Sequence, residues 1–150
     1  MTVHRYAARC SWSGSTDAGY EAYDRGHVVT APPAEAELRL SSDPAFRGDG
    51  RRLNPEQLFV AAVSSCQLLE FLALAARARV AVVSYEDEAE GTMDDGADPA
   101  WIERIVLRPR IAAPGASVER VRKLVDQAHR LCFIANSVRT EIVVDARIDV

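Results

Sequence analysis

The sequence predicts an α+β domain with a mainly antiparallel sheet, a long central helix and a second helix. Three observations predict it: short segments in which apolar and polar residues alternate, one long apolar segment with a strong helix start, and a later segment with an apolar stripe at helical spacing. The predicted order is three strands, the long helix, two strands, the second helix and a final strand. Helices packed on an antiparallel sheet define the α+β class.

The first part of the chain predicts strands. Apolar and polar residues alternate over residues 6–12, and a turn rich in Gly and Ser follows at 13–19. A second strand is predicted over 20–30 and a short third strand over 37–40. Residues 41–53, which include one proline and two glycines, predict a loop.

The long helix has the most complete set of start signals in the chain. Asn54 is a favoured N-cap residue, and Pro55 suits the first helical position. Gln57 completes a capping box, and Leu53 and Leu58 occupy the two positions of a hydrophobic staple. The residues up to about 79 are helix formers and apolar on most sides, which predicts a helix buried in the middle of a domain.

The second half of the chain predicts a hairpin, a helix and a strand. Strands over 80–90 and 101–111 would place an acidic row beside a basic row, namely Glu86, Glu88, Glu90 and Arg104, Arg108, Arg110. We interpret these rows as solvated sheet, with a charged substrate surface as the alternative. Ser117 caps a helix whose buried stripe would extend to Cys132, and a strand follows over 142–148.

Length and composition bound the function. The chain has 150 residues, 48% of them hydrophobic, and a net charge of −4, which predicts one globular domain over residues 1–150 with no nucleic-acid partner. The N-terminus lacks the apolar core of a signal peptide, so we expect a cytoplasmic protein. Polar residues interrupt the most apolar window, at 58–76, which predicts a buried helix and no membrane span.

The three cysteines, Cys10, Cys66 and Cys132, form no CxxC pair, so we expect no disulfide framework and no metal. Cys66 lies midway along the long helix, where a core cysteine and a reactive thiol are the two alternatives. Nothing near it in sequence would hold a thiolate, and Glu70, one turn further on, would disfavour one. Cys132 has the same two alternatives, whereas the strand position of Cys10 predicts a structural residue.

Other candidate groups give weaker signals. Arg25 and His27 interrupt the second predicted strand, where an arginine could be an exposed edge residue. His27 with Cys66 would suggest a papain-like pair, and His129 with Cys132 a metal pair without further ligands. The spacings of a phosphate loop, a nucleotide fingerprint or a Ser-His-Asp site do not occur.

Four segments resemble one family. NPEQLF at 54–59, SSC at 64–66, SYEDEAEG at 84–91 and CFIANS at 132–137 resemble the OsmC/Ohr family of osmotically inducible and organic-hydroperoxide-resistance proteins, particularly an OsmC-like branch. The similarity runs in the same order from about residue 20 to 148. It implies a thiol-dependent peroxidase that reduces organic hydroperoxides, and hydrogen peroxide less well.

The resemblance also implies roles for four residues. Cys66 would be the peroxidatic thiolate, Cys132 the resolving thiol, Arg25 the group that holds the thiolate and polarises the peroxide, and Glu56 the group that orients Arg25. The expected partners are an organic hydroperoxide and an external dithiol such as a dihydrolipoyl group, with no cofactor. Arg47, Arg51 and Arg52 are the alternative cations, because the surroundings of Arg25 match the family loosely.

Helix geometry adds a constraint. Glu56 and Cys66 are ten residues apart, which is about 15 Å along one straight helix. Either the helix breaks or Glu56 serves the site of a partner chain, so we predict the intertwined homodimer for which the family is known. Phe133 stands where many relatives carry proline. The alternatives are a non-enzymatic small-ligand-binding stress protein and a hot-dog thioesterase, for which a thiol pair has no use.

Overall fold

A computed structural model describes residues 1–150, which form nine short strands and two α-helices. Four of the six strand pairings are antiparallel and two are parallel, so the predicted α+β class with a mainly antiparallel arrangement is confirmed. The chain divides into two compact units, residues 1–58 and 59–150, each described by itself below. The single-domain assignment stays a prediction.

Unit 1 contains one antiparallel sheet of three strands in chain order. These are β1 (Arg9–Ser11), β2 (His27–Thr30) and β3 (Glu37–Leu40), with Cys10 opposite Val29 across the first pair. The third strand has its predicted bounds, whereas the first is shorter than predicted. The prediction of a strand from residue 20 is wrong, because β2 begins only at residue 27.

The shortened second strand has a local cause. The Arg25 guanidinium donates hydrogen bonds back to the carbonyl oxygens of Tyr20 and Tyr23. It also lies over the Tyr23 ring, 3.7 Å from the centroid, and over the Tyr20 ring at 4.8 Å. These contacts fold residues 20–25 around one cation instead of extending them into a sheet.

The long helix α1 (Pro55–Arg77) begins as predicted. The Gln57 amide N–H donates to Asn54 Oδ1 at 2.8 Å, and the Asn54 N–H donates to Gln57 Oε1 at 3.1 Å, which completes the capping box. The helix ends two residues earlier than expected. Arg79 takes the left-handed conformation at φ 54°, and the Val80 N–H returns to the Ala75 carbonyl at 2.9 Å, as in a Schellman motif.

Beyond its first turn, α1 has two different faces. One face is buried in unit 2 and consists of Val63, Gln67, Phe71, Leu74 and Ala75. The opposite face is exposed and recurs at helical spacing; we call it the apolar stripe, and it consists of Ala61, Ser65, Leu69, Leu72 and Ala76. The sequence predicted a helix buried in the middle of a domain. In a single chain, however, only one face of the helix is buried. By length and composition alone α1 could cross a membrane, but core helices of soluble proteins meet the same criteria.

The predicted hairpin follows α1 in unit 2, with each of its strands divided in two. β4 (Ser84–Asp87) pairs with β7 (Pro109–Ala112), and β5 (Glu90–Met93) pairs with β6 (Ile102–Leu107), both antiparallel. Glu86 lies opposite Arg110, and Arg108 bridges Glu90 at 3.0 Å, so the acidic and basic rows do lie side by side on the surface.

The rest of unit 2 closes its core. Ser117 caps α2 (Val118–Leu131) by accepting the Arg120 N–H, and β8 (Glu141–Val144) and β9 (Arg147–Asp149) follow. β8 pairs in parallel with β6, and β9 in parallel with β7. One core cluster joins α1 and α2 through Phe71, Val125 and Ala128, and a second joins Val63 of α1 to the β6 side chains.

Candidate thiol site

Unit 2 brings the two predicted working cysteines together. Cys66 is half-buried on α1, and Cys132, the first residue after α2, is 1% exposed. Their side chains are near enough for Cys66 to raise the pKa of Cys132, and both are free thiols. Residues separated by 66 positions in sequence are thus neighbours in space, as a disulfide between them requires.

The end of α2 fixes the backbone of Cys132. Its N–H donates to the His129 carbonyl at 3.4 Å, and its own carbonyl accepts both the Asn136 N–H at 3.0 Å and Asn136 Nδ2 at 2.9 Å. Burial, together with the neighbouring Cys66, raises the pKa of the Cys132 thiol to about 11, and the N–H groups of Ala135 and Ile134 oppose the shift. Cys132 is therefore a protonated thiol at neutral pH.

Three buried polar atoms around α1 and α2 have no partner. They are Gln67 Oε1, the Tyr85 hydroxyl and His129 Nδ1. Gln67 is 1% exposed, and its Nε2 donates to the Val125 carbonyl of α2 at 3.2 Å. Gln67 and Tyr85 are not among the functional residues predicted from the sequence. Gln67 could have been found from the sequence, because it is a polar residue on the buried face of an apolar helix.

Tyr85 and Asp87 extend from the same face of β4. Asp87 accepts a 2.5 Å hydrogen bond from Ser64 Oγ of α1 and a 2.6 Å bond from the Arg108 N–H. The Tyr85 ring lies 5.7 Å from that of Phe71. Burial raises the pKa of Tyr85 above its usual range, and the charges of Asp87 and Cys132 raise it further, so the phenol stays protonated.

Arg25 is the buried cation of unit 1. It is 9% exposed, and two of its five N–H groups are used by the carbonyls of Tyr20 and Tyr23. It lines a cavity of about 450 Å³ together with Trp12, Tyr23 and His27. The cavity therefore combines aromatic walls with one positive charge.

The other candidates lie as follows. Glu56 is half-buried and makes no ion pair with Arg25 within the chain. The alternative cations of the loop are already paired: Arg47 with Glu21 at 2.8 Å, and Arg51 and Arg52 with Asp49 at 3.0 and 3.8 Å.

The remaining residues considered in the sequence are Cys10 and His27 in unit 1 and Glu70 on α1. Cys10 lies on a strand, β1, as predicted, and its exposed side chain lines the Arg25 cavity; its structural role stays a prediction. His27 Nδ1 is engaged by the Arg25 carbonyl at 2.8 Å, and Glu70 is half-buried on α1.

Two thiols in contact at the junction of two helices define a dithiol protein of the α+β class. The OsmC-like protein family model matches residues 48–147, and the chain belongs to this family, as its sequence motifs predicted. The matched segment contains Glu56, Cys66 and Cys132 and excludes Arg25.

Individual relatives agree with the family assignment. The chain is 35% identical over 118 residues to the organic hydroperoxide resistance protein of Xanthomonas axonopodis pv. citri, covering 78% of this chain and 81% of the relative. It is 23% identical over 145 residues to peroxiredoxin OsmC of Escherichia coli, covering 97% and 96%. The structure of an OsmC-like protein of unknown function from Vibrio cholerae superposes with a TM-score of 0.87 at 30% identity, covering 97% and 100%.

Proposed function

We propose that the chain is a cytoplasmic thiol-dependent peroxidase that reduces organic hydroperoxides, and hydrogen peroxide less well. The observation that carries the proposal is the contact between a half-buried thiol, Cys66, and a buried thiol, Cys132. The printed names of two relatives, an organic hydroperoxide resistance protein and a peroxiredoxin, support the same activity.

The proposed reaction has three steps. The Cys66 thiolate attacks the terminal peroxide oxygen, the O–O bond breaks, and the alkoxide leaves and takes up a proton to become the alcohol. Cys132 then attacks the Cys66 sulfenic acid, an S–S bond forms, the S–O bond breaks, and water leaves. An external dithiol, such as a dihydrolipoyl group, reduces the disulfide by exchange, so no resident cofactor takes part.

Arg25 and Glu56 are proposed as the polar groups of the first step. A buried guanidinium beside aromatic walls suits an apolar hydroperoxide whose developing charge needs a cation. Glu56 would orient Arg25. Because α1 continues without a break from Pro55 to Arg77, Glu56 and Cys66 lie about 15 Å apart on it. One chain's Glu56 therefore belongs, in this proposal, to the site of its partner.

The apolar stripe supports the homodimer. Leu69 is 64% exposed and Leu72 39% exposed, on the helix that also carries Cys66. Small residues at Ala61, Ser65 and Ala76 allow close approach of a second helix. We propose that a second copy of the chain covers the stripe, which gives an intertwined dimer with two sites.

A hydroperoxide consumption assay tests the function. With tert-butyl hydroperoxide and dihydrolipoate, we expect turnover by the wild-type protein, none by Cys66→Ser, and wild-type turnover by the control Val83→Ser, an exposed residue outside the cavity. Without the dithiol, Cys132→Ser should consume one equivalent of hydroperoxide and stop as a sulfenic acid, whereas the wild-type protein should stop as a disulfide. Turnover that survives in Cys66→Ser refutes the assignment of the nucleophile. A wild-type protein inactive with every hydroperoxide and dithiol would instead favour a small-ligand-binding stress protein.

A further inference from the structure

The Tyr85 hydroxyl is a buried donor without a partner. The hydroxyl oxygen is shielded from solvent, the ring packs on Phe71 of α1, and the half-buried side chain borders the core cluster that contains Val125 and Ala128 of α2. Leaving a buried polar group unpaired is unfavourable, by about 1–3 kcal/mol in proteins. Phenylalanine would fill the same space without this penalty, so the hydroxyl calls for an explanation other than packing.

The position of Tyr85 points to the thiol pair. Ala128 lies one helical turn before Cys132 on α2, and Gln67, which follows Cys66 on α1, donates to the Val125 carbonyl of the same α2 segment. The same junction of α1, β4 and α2 therefore holds the phenol and the two sulfurs. The negative charge that Cys132 acquires on ionisation acts on Tyr85.

We propose that the Tyr85 hydroxyl donates a hydrogen bond to the Cys132 thiolate and stabilises it as the leaving group when the Cys66–Cys132 disulfide is reduced. The role of this step in turnover rests on the proposed function. The disulfide chemistry itself needs only the two thiols in contact.

The chemistry of the step is thiol–disulfide exchange. A reductant thiolate attacks Cys66 Sγ, a mixed disulfide forms, the Cys66–Cys132 bond breaks, and its electron pair leaves on Cys132 Sγ. The reductant's second thiolate then attacks the mixed disulfide, cyclises and releases Cys66. Cys132 afterwards takes a proton from solvent. Exchange is slower when the leaving thiol has a high pKa, which burial imposes on Cys132, so a donor at its sulfur accelerates the step.

Tyr85 suits this task because it remains a neutral phenol. Burial, Asp87 and Cys132 all favour its protonated form, so it meets the thiolate as a donor and never as a second anion. The other groups that act on the Cys132 sulfur are Cys66 from α1 and the N–H groups of Ile134 and Ala135. Two backbone donors and one phenol would then surround the ionised sulfur.

The test compares wild-type protein with Tyr85→Phe, using Tyr6→Phe, an exposed tyrosine, as the matched control. Diamide oxidises the pair in every variant, so the assay does not depend on peroxidase activity. We expect dithiothreitol to reduce the disulfide about tenfold more slowly in Tyr85→Phe than in the other two, since a hydrogen bond to a charged group contributes at least this much. Alkylation of Cys132 should also require a higher pH in Tyr85→Phe, because loss of the hydrogen bond makes the thiolate less stable.

Equal reduction rates and equal alkylation profiles in wild-type and Tyr85→Phe would overturn the proposal. If Tyr85→Phe does not fold, Tyr85→3-fluorotyrosine gives the decisive result: its more acidic phenol should speed reduction, and an unchanged rate would refute the role. If the wild-type protein turns over no hydroperoxide but Tyr85→Phe still slows reduction of the disulfide, only the proposed function is refuted. If the wild-type protein turns over hydroperoxide normally but Tyr85→Phe reduces its disulfide at the wild-type rate, only the role of Tyr85 is refuted.

Discussion

Selective alkylation of the three cysteines tests the geometry of the thiol pair most directly. The pKa of Cys132 is raised from 9.0 to about 11, first by burial. At pH 7 its thiolate fraction is then about 1 in 10,000, against about 1 in 100 for an ordinary thiol, because each pKa unit is a tenfold change. Since the thiolate is the reactive species, iodoacetamide should modify Cys132 at least about 100-fold more slowly than exposed Cys10.

The measurement is peptide mass spectrometry of reduced protein after timed pulses of iodoacetamide. Between pH 7 and 9 the rate at Cys132 should rise about tenfold per unit with no plateau, since its pKa lies above this range. Cys10 in the same molecules controls for reagent concentration. Modification of Cys132 as fast as Cys10, or a plateau of its rate below pH 9, would refute the buried contact described for this thiol.

Two further predictions concern assembly and stability. Leu69→Glu should weaken self-association about tenfold or more in sedimentation experiments, because burial of a leucine side chain contributes about 1.5–3 kcal/mol; exposed Val83→Glu, outside the stripe, is the control, and equal association of both variants would contradict the dimer face. Asn54→Ala removes the capping box and should lower the free energy of unfolding by about 1 kcal/mol. An unchanged thermal midpoint would show that the cap contributes nothing.

The parts of the fold that sequence predicted are those set by local chemistry. The start of α1 follows from side-chain and backbone groups three residues apart, Asn54 and Gln57, which any window of the sequence contains. The same holds for Ser117 and α2. The hairpin was predictable because alternation fixes which face each side chain takes, and the charge rows then indicate the partner strand.

The parts that sequence did not predict depend on distant groups. The hairpin strands divide where the Arg108 N–H bonds to the Asp87 carboxylate, and the final strand divides where the Asp145 N–H bonds to the Leu107 carbonyl. No short window contains either pair. The contact of Cys66 with Cys132 likewise depends on how α1 and α2 pack, so residue spacing left their roles open and the family resemblance alone suggested them.

The parallel pairing of β8 and β9 has a consequence for the time at which unit 2 can fold. Both of its sheets take their third strand from the last ten residues, 141–150, and one of these strands is Arg147–Asp149. During synthesis these residues emerge after the rest of unit 2, so neither sheet is complete until they have left the ribosome. Until then, Cys66 and Cys132 belong to an unfinished core.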